Sequence, residues 1–133
     1  MAFRDDGVLG LTVIGPGRDH QILASPPVLT PDRLGSWIHL AVVVDGPGRR
    51  AVHYVDGRPV SRHPLRIAPP YSVGTAELGN WNSVGFPGSD PFLVRHLHGL
   101  MDEFCLFDRP LGPEEIRALH ADGHPQPESS DIS

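Results

Sequence analysis

The chain of 133 residues is long enough for one domain with one hydrophobic core, and its formal charge is −5. This acidic balance argues against nucleic-acid binding, because phosphate recognition needs grouped positive charges. No apolar run is long enough to span a bilayer, and the N-terminal MAFRDDG lacks the basic start and hydrophobic stretch of a signal peptide. We therefore expect a globular chain that binds no nucleic acid, inserts into no membrane and has no signal peptide.

Short strands separated by turns are expected, because 15 glycines and 15 prolines are spread along the chain without a period. Residues 7–15 are the first strand candidate, and residues 20–25 follow a Gly-Pro-Gly turn, so the two segments are predicted to pair as a hairpin. The proline-rich segment 26–36 is predicted to be a connection.

Two turns define a predicted three-stranded antiparallel meander. Gly46-Pro47-Gly48-Arg49 is predicted to be a four-residue loop between the strand candidates 38–44 and 51–55. Asp56-Gly57 predicts a type I′ turn into a third strand, because both central residues of that turn need positive φ angles.

The first of these loops fixes the expected register of the meander. It places Val42 opposite His53 and Leu40 opposite Val55 on a core face. The opposite face, with Val52 and Tyr54, is also apolar, so we expect a second sheet or a long loop to cover part of it. The predicted core residues are Leu40, Val42, Val55 and Leu106.

The second half of the chain is predicted to contain at least two more strands, within residues 75–81 and 97–111. The chain has one cysteine, Cys105, which cannot form an internal disulfide, and its apolar neighbours favour a buried, inert thiol.

A helix is predicted near the C-terminus. Pro113 suits the first helical position, and the carboxylates of Glu114 and Glu115 lie near the positive end of the helix dipole. Gly123 can cap the other end, and residues 124–133 are predicted to form a flexible tail.

Four motifs in this order carry a family resemblance: WIHLAVVVDG, HYVDGRPV, LGNWN and GLMDEFCLFDRPLGPEEIRAL. Together they resemble the laminin G-like, pentraxin-like branch of the concanavalin A-like lectin/glucanase superfamily, over residues 7–121. The resemblance implies an all-β fold, an antiparallel two-sheet jelly-roll sandwich with one short C-terminal helix. It also implies a module of larger secreted or cell-surface proteins, often bacterial, which binds glycans or proteins without catalysis.

Members of this family usually begin with further strands before a segment like GVLGLTV. We therefore expect residues 1–123 to form a module without its first strands, in an extracytoplasmic setting: periplasmic, cell-surface or secreted. The missing strands would leave an open sheet edge, which could pair with a second copy as a homodimer.

Catalysis is not expected. Glycosidases that retain configuration use two carboxylates about 5 Å apart, commonly at alternating positions of one strand. None of the five glutamates completes such a pattern, and Asp102 and Glu103 are adjacent, so they point to opposite faces of a strand.

Asp102 is the candidate metal ligand, because relatives often hold a structural calcium near the terminal strand. Calcium needs six to eight oxygen ligands, so the alternative is that Asp102 accepts hydrogen bonds from a neighbouring loop. The eight histidines include His96 and His98 on one predicted strand, but no Cys or Glu completes a zinc-ligand spacing. Calcium is thus the one cofactor hypothesis.

The candidate ligand-binding residues are centred on Trp81. Its flat apolar ring is flanked by Asn80 and Asn82, whose amides can bond sugar hydroxyls, and Tyr71 could line the same rim. The same residue types also suit a loop corner and a packed sandwich edge, so a structural role is the alternative.

The sequence thus predicts a non-catalytic carbohydrate- or protein-binding module of an extracytoplasmic bacterial multidomain protein. One alternative is an accessory or remnant domain of a glycoside hydrolase, which a carboxylate pair on a concave sheet would favour. The other is a structural self-assembling domain, which a strand-swapped dimer would favour. Fold alone does not choose among them.

Overall fold

The computed structural model describes residues 2–3, 7–74, 78, 80–81 and 95–123. The chain divides into two compact units. The larger unit contains residues 1–70 and 107–133, and the smaller contains residues 71–106.

The first sheet of the larger unit is antiparallel. Its strands are β1 (Ala2–Phe3), β2 (Val8–Ile14) and β3 (His20–Pro27), in that order across the sheet. The Gly15 N–H donates to the Asp19 carbonyl over 2.7 Å and closes the turn between β2 and β3. The hairpin predicted for residues 7–25 is therefore confirmed.

One face of this sheet is buried because apolar residues alternate along its strands. Leu9 and Leu23 are almost fully buried, and the Ser25 hydroxyl accepts the Leu9 N–H over 3.0 Å. This hydroxyl satisfies a backbone donor near the bulge between Val8 and Gly10, where the β2–β3 register shifts.

The second sheet is the predicted meander. It consists of β4 (Leu40–Asp45), β5 (Arg50–Val55) and β6 (Arg58–Pro64), paired antiparallel in that order. Within the connection predicted for residues 26–36, Pro31–Arg33 forms one turn of 3-10 helix.

The predicted register of the meander is confirmed. Val42 lies opposite His53, and Leu40 lies opposite Val55. In the turn between β5 and β6, Asp56 and Gly57 have φ angles of 48° and 75°, the positive values that a type I′ turn requires.

The burial of the meander differs in part from expectation. Val55 is buried, as predicted for the core, whereas Leu40 and Val42 on the edge strand are half-buried. His53 is fully buried in the central strand, with 0% of its surface exposed.

The helix α1 (Pro113–Asp122) covers the other face of the meander. Its buried Ile116 packs with Val52 and Tyr54 of β5, and Leu111 and Val43 border this cluster. The predicted cover, a second sheet or a long loop, was wrong at this place, because the amphipathic helix buries its apolar side there.

The predicted helix start and end are confirmed. Gly112 precedes Pro113, and Gly123 follows the last helical residue, its N–H donating to the Leu119 carbonyl over 2.9 Å. The predicted tail, residues 124–133, lies outside the described residues.

Gln21 connects the two sheets. Its side-chain Nε2 donates to the Pro64 carbonyl, and its Oε1 accepts the Arg66 N–H, both over 2.8 Å. The buried residues Leu65 and Ile67 continue the chain beyond β6.

The smaller unit contains the strand pair β7 (Asn80–Trp81) and β8 (Arg95–His96). The strand predicted for residues 97–111 was wrong, because residues 97–110 form no regular secondary structure. Leu106, predicted to lie in the core, is 72% exposed, and Cys105, predicted to be buried, is exposed as well.

The described chain therefore consists mainly of β-strands in two three-stranded antiparallel sheets, with one short C-terminal helix and a further strand pair. This composition is consistent with a β-sandwich. Among the described residues, no helix is long and apolar enough to cross a membrane.

Candidate functional site

The candidate ligand residues are placed in part. Asn80 and Trp81 form β7, and antiparallel pairing sets Asn80 opposite His96 and Trp81 opposite Arg95. Asn82 lies outside the described residues, and Tyr71 is half-buried in the same unit. The predicted strand over 75–81 is thus described at its last two residues.

Asp102, the candidate calcium ligand, is exposed and makes a local contact. Its Oδ1 accepts the N–H of Glu103 over 2.9 Å, and Glu103 has a φ of 49°. The donor is the adjacent residue, so this hydrogen bond is local and does not come from a neighbouring loop. The described residues contain no group of three or more His, Cys, Asp or Glu side chains that could hold a metal ion. Calcium at Asp102 stays a prediction.

Asp56 joins three parts of the larger unit. Its Oδ1 accepts the His39 N–H over 3.0 Å, and its Oδ2 lies 3.2 Å from the Arg33 guanidinium. The His120 Nε2 of α1 lies 3.9 Å from Oδ1. One carboxylate therefore connects the start of β4, the 3-10 turn and the end of the helix.

His39 and His120 lie beside each other in this cluster. Their ring centroids are 5.6 Å apart at an angle of 53°. Burial lowers the pKa of His39, the neighbouring His120 lowers it further, and Asp56 opposes both effects. The His39 Nδ1 is buried without a hydrogen-bond partner. A neutral imidazole is favoured at this position.

A second pair of histidines lies on the opposite face of the meander. The His53 Nδ1 lies 2.8 Å from the Ser61 hydroxyl, and the His53 and His63 rings meet edge to face at 5.7 Å. The Nε2 atoms of both histidines are buried without a hydrogen-bond partner. Burial lowers the pKa of His53, and His63 adds to the effect.

Glu115 is held at the start of α1. Arg109 binds both of its carboxylate oxygens, over 2.6 and 3.0 Å, and the Gly112 N–H donates to it over 2.8 Å. These hydrogen bonds lower the pKa of Glu115 to about 2. The acid is therefore a structural cap: as the N3 residue it accepts the N–H of the N-cap residue Gly112, as the glutamate of a capping box does.

Asp45 has a similar structural role in the loop between β4 and β5. Its Oδ1 accepts the Gly48 N–H over 2.8 Å, and its Oδ2 lies 3.2 Å from the Arg50 Nε. The loop predicted from residues 46–49 is thus stabilised by the residue that precedes it.

The Asp56 cluster and the buried His53 pair were missed from the sequence. The Asp56-Gly57 motif predicted the turn that contains the Asp56 carboxylate. The partners of this carboxylate are residues 33, 39 and 120, which are distant from it along the chain. No local pattern connects positions so far apart.

Comparisons with known proteins give two matches. Residues 1–117 match the model of a laminin G-type family described as concanavalin A-like lectin/glucanases superfamily. A solved structure, an S-layer domain-containing protein (residues 221–444) from Clostridium thermocellum, is 25% identical with a TM-score of 0.46. The match covers 85% of this chain and 50% of that one, so the chain spans half the length of that structure. No curated protein matches the chain.

Proposed function

Because the chain belongs to the concanavalin A-like lectin/glucanases superfamily, we propose that it is a non-catalytic module that binds a carbohydrate ligand. The observation that carries the proposal is the family match over residues 1–117, which include both three-stranded sheets and the start of α1. The superfamily contains glycosidases as well as lectins, so binding and hydrolysis need separate tests.

The geometry of three described acids supports a non-catalytic role. Asp45, Asp102 and Glu115 each accept a backbone N–H, and Glu115 is also paired with Arg109. Glycoside hydrolysis needs two carboxyl groups directed at one glycosidic bond, at a separation of about 5 Å in retaining enzymes. Carboxylates that already stabilise turns and a helix start are poorly suited to that chemistry.

The proposed sugar-binding residues are Trp81, Asn80, Asn82 and Tyr71. An indole or phenol ring provides a flat apolar surface for a pyranose, and amide groups provide donors and acceptors for hydroxyls. Asn80 and Trp81 lie in β7 of the smaller unit, which also contains Tyr71.

The proposal also covers the cellular location of the module and the strand order of its sheets. The module belongs to an extracytoplasmic bacterial multidomain protein, and its sheets follow the jelly-roll order that the family match supports. A calcium ion at Asp102 is the proposed cofactor, and it would need ligands beyond the residues described.

Binding can be tested by co-sedimentation with insoluble polysaccharides and on a glycan array. Trp81→Ala should weaken binding by about two- to tenfold, because a stacked aromatic ring contributes about 0.5–1.5 kcal/mol. Trp37→Ala is the matched control, since Trp37 is 51% exposed and belongs to the larger unit. It should leave binding unchanged.

Two results would contradict the proposal. Equal loss of binding in Trp81→Ala and Trp37→Ala would show that the binding site is not at Trp81. If the protein is retained on no glycan, the ligand is not a carbohydrate. Release of reducing sugar by the purified protein, abolished by Glu103→Gln, would overturn the non-catalytic role.

A protein ligand is the second candidate, and one observation favours it. Residues 97–106 of the smaller unit expose a series of large apolar side chains, of which Leu100 is 82% exposed. Exposed apolar surface of this kind commonly marks a protein-binding site. The series consists of Leu97, Leu100, Met101, Phe104 and Leu106. Leu100→Ser should reduce capture of a protein ligand without changing retention on glycans.

A further inference from the structure

Among the residues that the structure describes, strand β4 has an unpaired edge. It is hydrogen-bonded to β5 on one side, and no backbone group of residues 40–45 bonds on the other side within the described chain. Its sequence, LAVVVD, is apolar up to the last residue, and every residue of the strand is half-buried.

The direction of the free backbone groups follows from the pairing. In an antiparallel pair, alternate residues direct their N–H and C=O groups toward the partner strand. The Asp56 N–H donates to the His39 carbonyl, so position 39 faces the β5 side. Positions 41, 43 and 45 do the same by alternation. Leu40, Val42 and Val44 therefore direct their backbone groups outward, away from β5.

Two other edge strands, β3 and β6, carry residues that discourage further pairing. Strand β6 contains Arg58, Pro59, Arg62 and Pro64, and β3 ends in Pro26-Pro27. Proline removes a backbone donor, and charged side chains discourage a new strand. Strand β4 has no proline and no charged residue before Asp45.

We propose that β4 pairs antiparallel with β4 of a second copy of this chain, about a two-fold axis. Residues whose backbone groups point outward must face each other, so Val42 lies opposite the partner's Val42 and Leu40 lies opposite the partner's Val44. This register is the one that uses all three outward-facing residues of both copies. The two meanders then form one continuous sheet.

Charge selects the antiparallel arrangement and favours a second copy as the occupant. Asp45 is the one charged residue of β4. Antiparallel pairing keeps the two Asp45 carboxylates at opposite ends of the shared strand pair, whereas parallel in-register pairing would set them side by side, where they repel. An apolar strand that is complementary to itself suits a symmetric interface.

Sedimentation and thermal melting of the 133-residue chain test the association. A species of twice the chain mass and a melting temperature that rises with concentration are expected. Val42→Pro should give a monomer whose melting temperature is independent of concentration, because it removes an outward N–H and no β4–β5 bond. Val42→Thr keeps that N–H and is the matched control, which should still dimerise.

Disulfide cross-linking tests the register of the β4–β4 pairing without introducing a proline. The cysteines are placed in a Cys105→Ser variant, so that the native cysteine cannot react. Val42→Cys should cross-link to itself under mild oxidation, because directly opposed residues in this pairing lie about 5.5 Å apart at Cα. Leu40→Cys and Val44→Cys chains should cross-link when mixed and not when oxidised separately. Thr12→Cys, exposed on the first sheet, is the control that should not cross-link.

A monomer at all concentrations, together with Val42→Cys cross-linking no faster than Thr12→Cys, would overturn the proposal. A dimer that persists in Val42→Pro and shows no β4 cross-links would also overturn it, by locating the interface elsewhere. Failure of glycan binding has no bearing on either readout, so this proposal and the proposed function fail separately.

Discussion

His53 and Ser61 lie opposite each other on neighbouring strands, and the imidazole Nδ1 is 2.8 Å from the hydroxyl oxygen. The imidazole is fully buried, and its pKa is lowered by burial and by the nearby His63. Folding therefore favours the neutral ring, which makes stability depend on pH.

Stability should fall as the medium becomes acidic. The unfolded chain takes up a proton near pH 6.5 and the folded chain only at lower pH, so the unfolded state binds more protons between the two values. The free energy of unfolding should thus be fully retained above about pH 6.5 and decline below it. Urea denaturation between pH 7.5 and 5.0 measures this slope.

Two variants separate the titration from the hydrogen bond. His53→Gln should reduce the dependence of the free energy of unfolding on pH. The dependence that remains is expected from His39, whose pKa is also lowered. Ser61→Ala should cost about 1 kcal/mol at each pH through loss of the hydrogen bond and keep the slope. An unchanged slope in His53→Gln would show that His53 does not titrate with folding.

Below pH 5, the stability of the folded chain should depend on the ionisation of Glu115. Its folded pKa of about 2 lies below the ordinary glutamate value of 4.5, so its contribution to stability is present above pH 4.5 and is lost as the pH falls through 2. Glu115→Gln should reduce the dependence of helix content on pH between 5 and 2, measured by circular dichroism. Glu114→Gln, one residue away, is the control and should keep most of that dependence.

Ile116→Ala should destabilise the larger unit by about 2–5 kcal/mol, because it leaves a cavity between α1 and the buried side chains of Val52 and Tyr54. Chemical denaturation gives the value. Arg117→Ala on the exposed side of the helix should cost less than about 1 kcal/mol. Similar losses in both variants would mean that the helix does not pack through Ile116.

Gly57→Ala should be destabilising by more than about 1 kcal/mol. The residue has a φ of 75°, and an added Cβ would lie 3.3 Å from the His120 Cβ and 3.4 Å from the Arg117 Cα. Gly17→Ala is the matched control, because nothing lies within 4 Å of its added Cβ. Equal melting temperatures for the two variants would contradict the close approach of the helix to this turn.

Features set by local chemistry were predictable from the sequence. The Asp56-Gly57 turn, the four-residue loop after Asp45 and the helix start at Pro113 each depend on the conformational preferences of adjacent residues. Given those turns, alternation was enough to set Val42 opposite His53.

Features set by distant partners were not predictable. Without a bulge, the Asp56-Gly57 turn would set His53 opposite Val60, but the register shift between His53 and Tyr54 brings Ser61 there instead. Residues 97–110 have a strand-like sequence, yet a strand needs a partner, and pairing is a non-local property that the pattern alone does not contain. For the candidate site, the sequence predicted which residue types surround Trp81. It did not predict how their side chains are arranged in space.

Gln21 acts as a substitute peptide group. One amide side chain offers a donor and an acceptor in the same plane, and it uses them on the Pro64 carbonyl and the Arg66 N–H as an adjoining strand would. The backbone beyond β6 is thereby satisfied without a further strand. A glutamate at this position would keep the shape but set an acceptor against the Pro64 carbonyl, so this hydrogen bond between the sheets requires the amide nitrogen of Gln21.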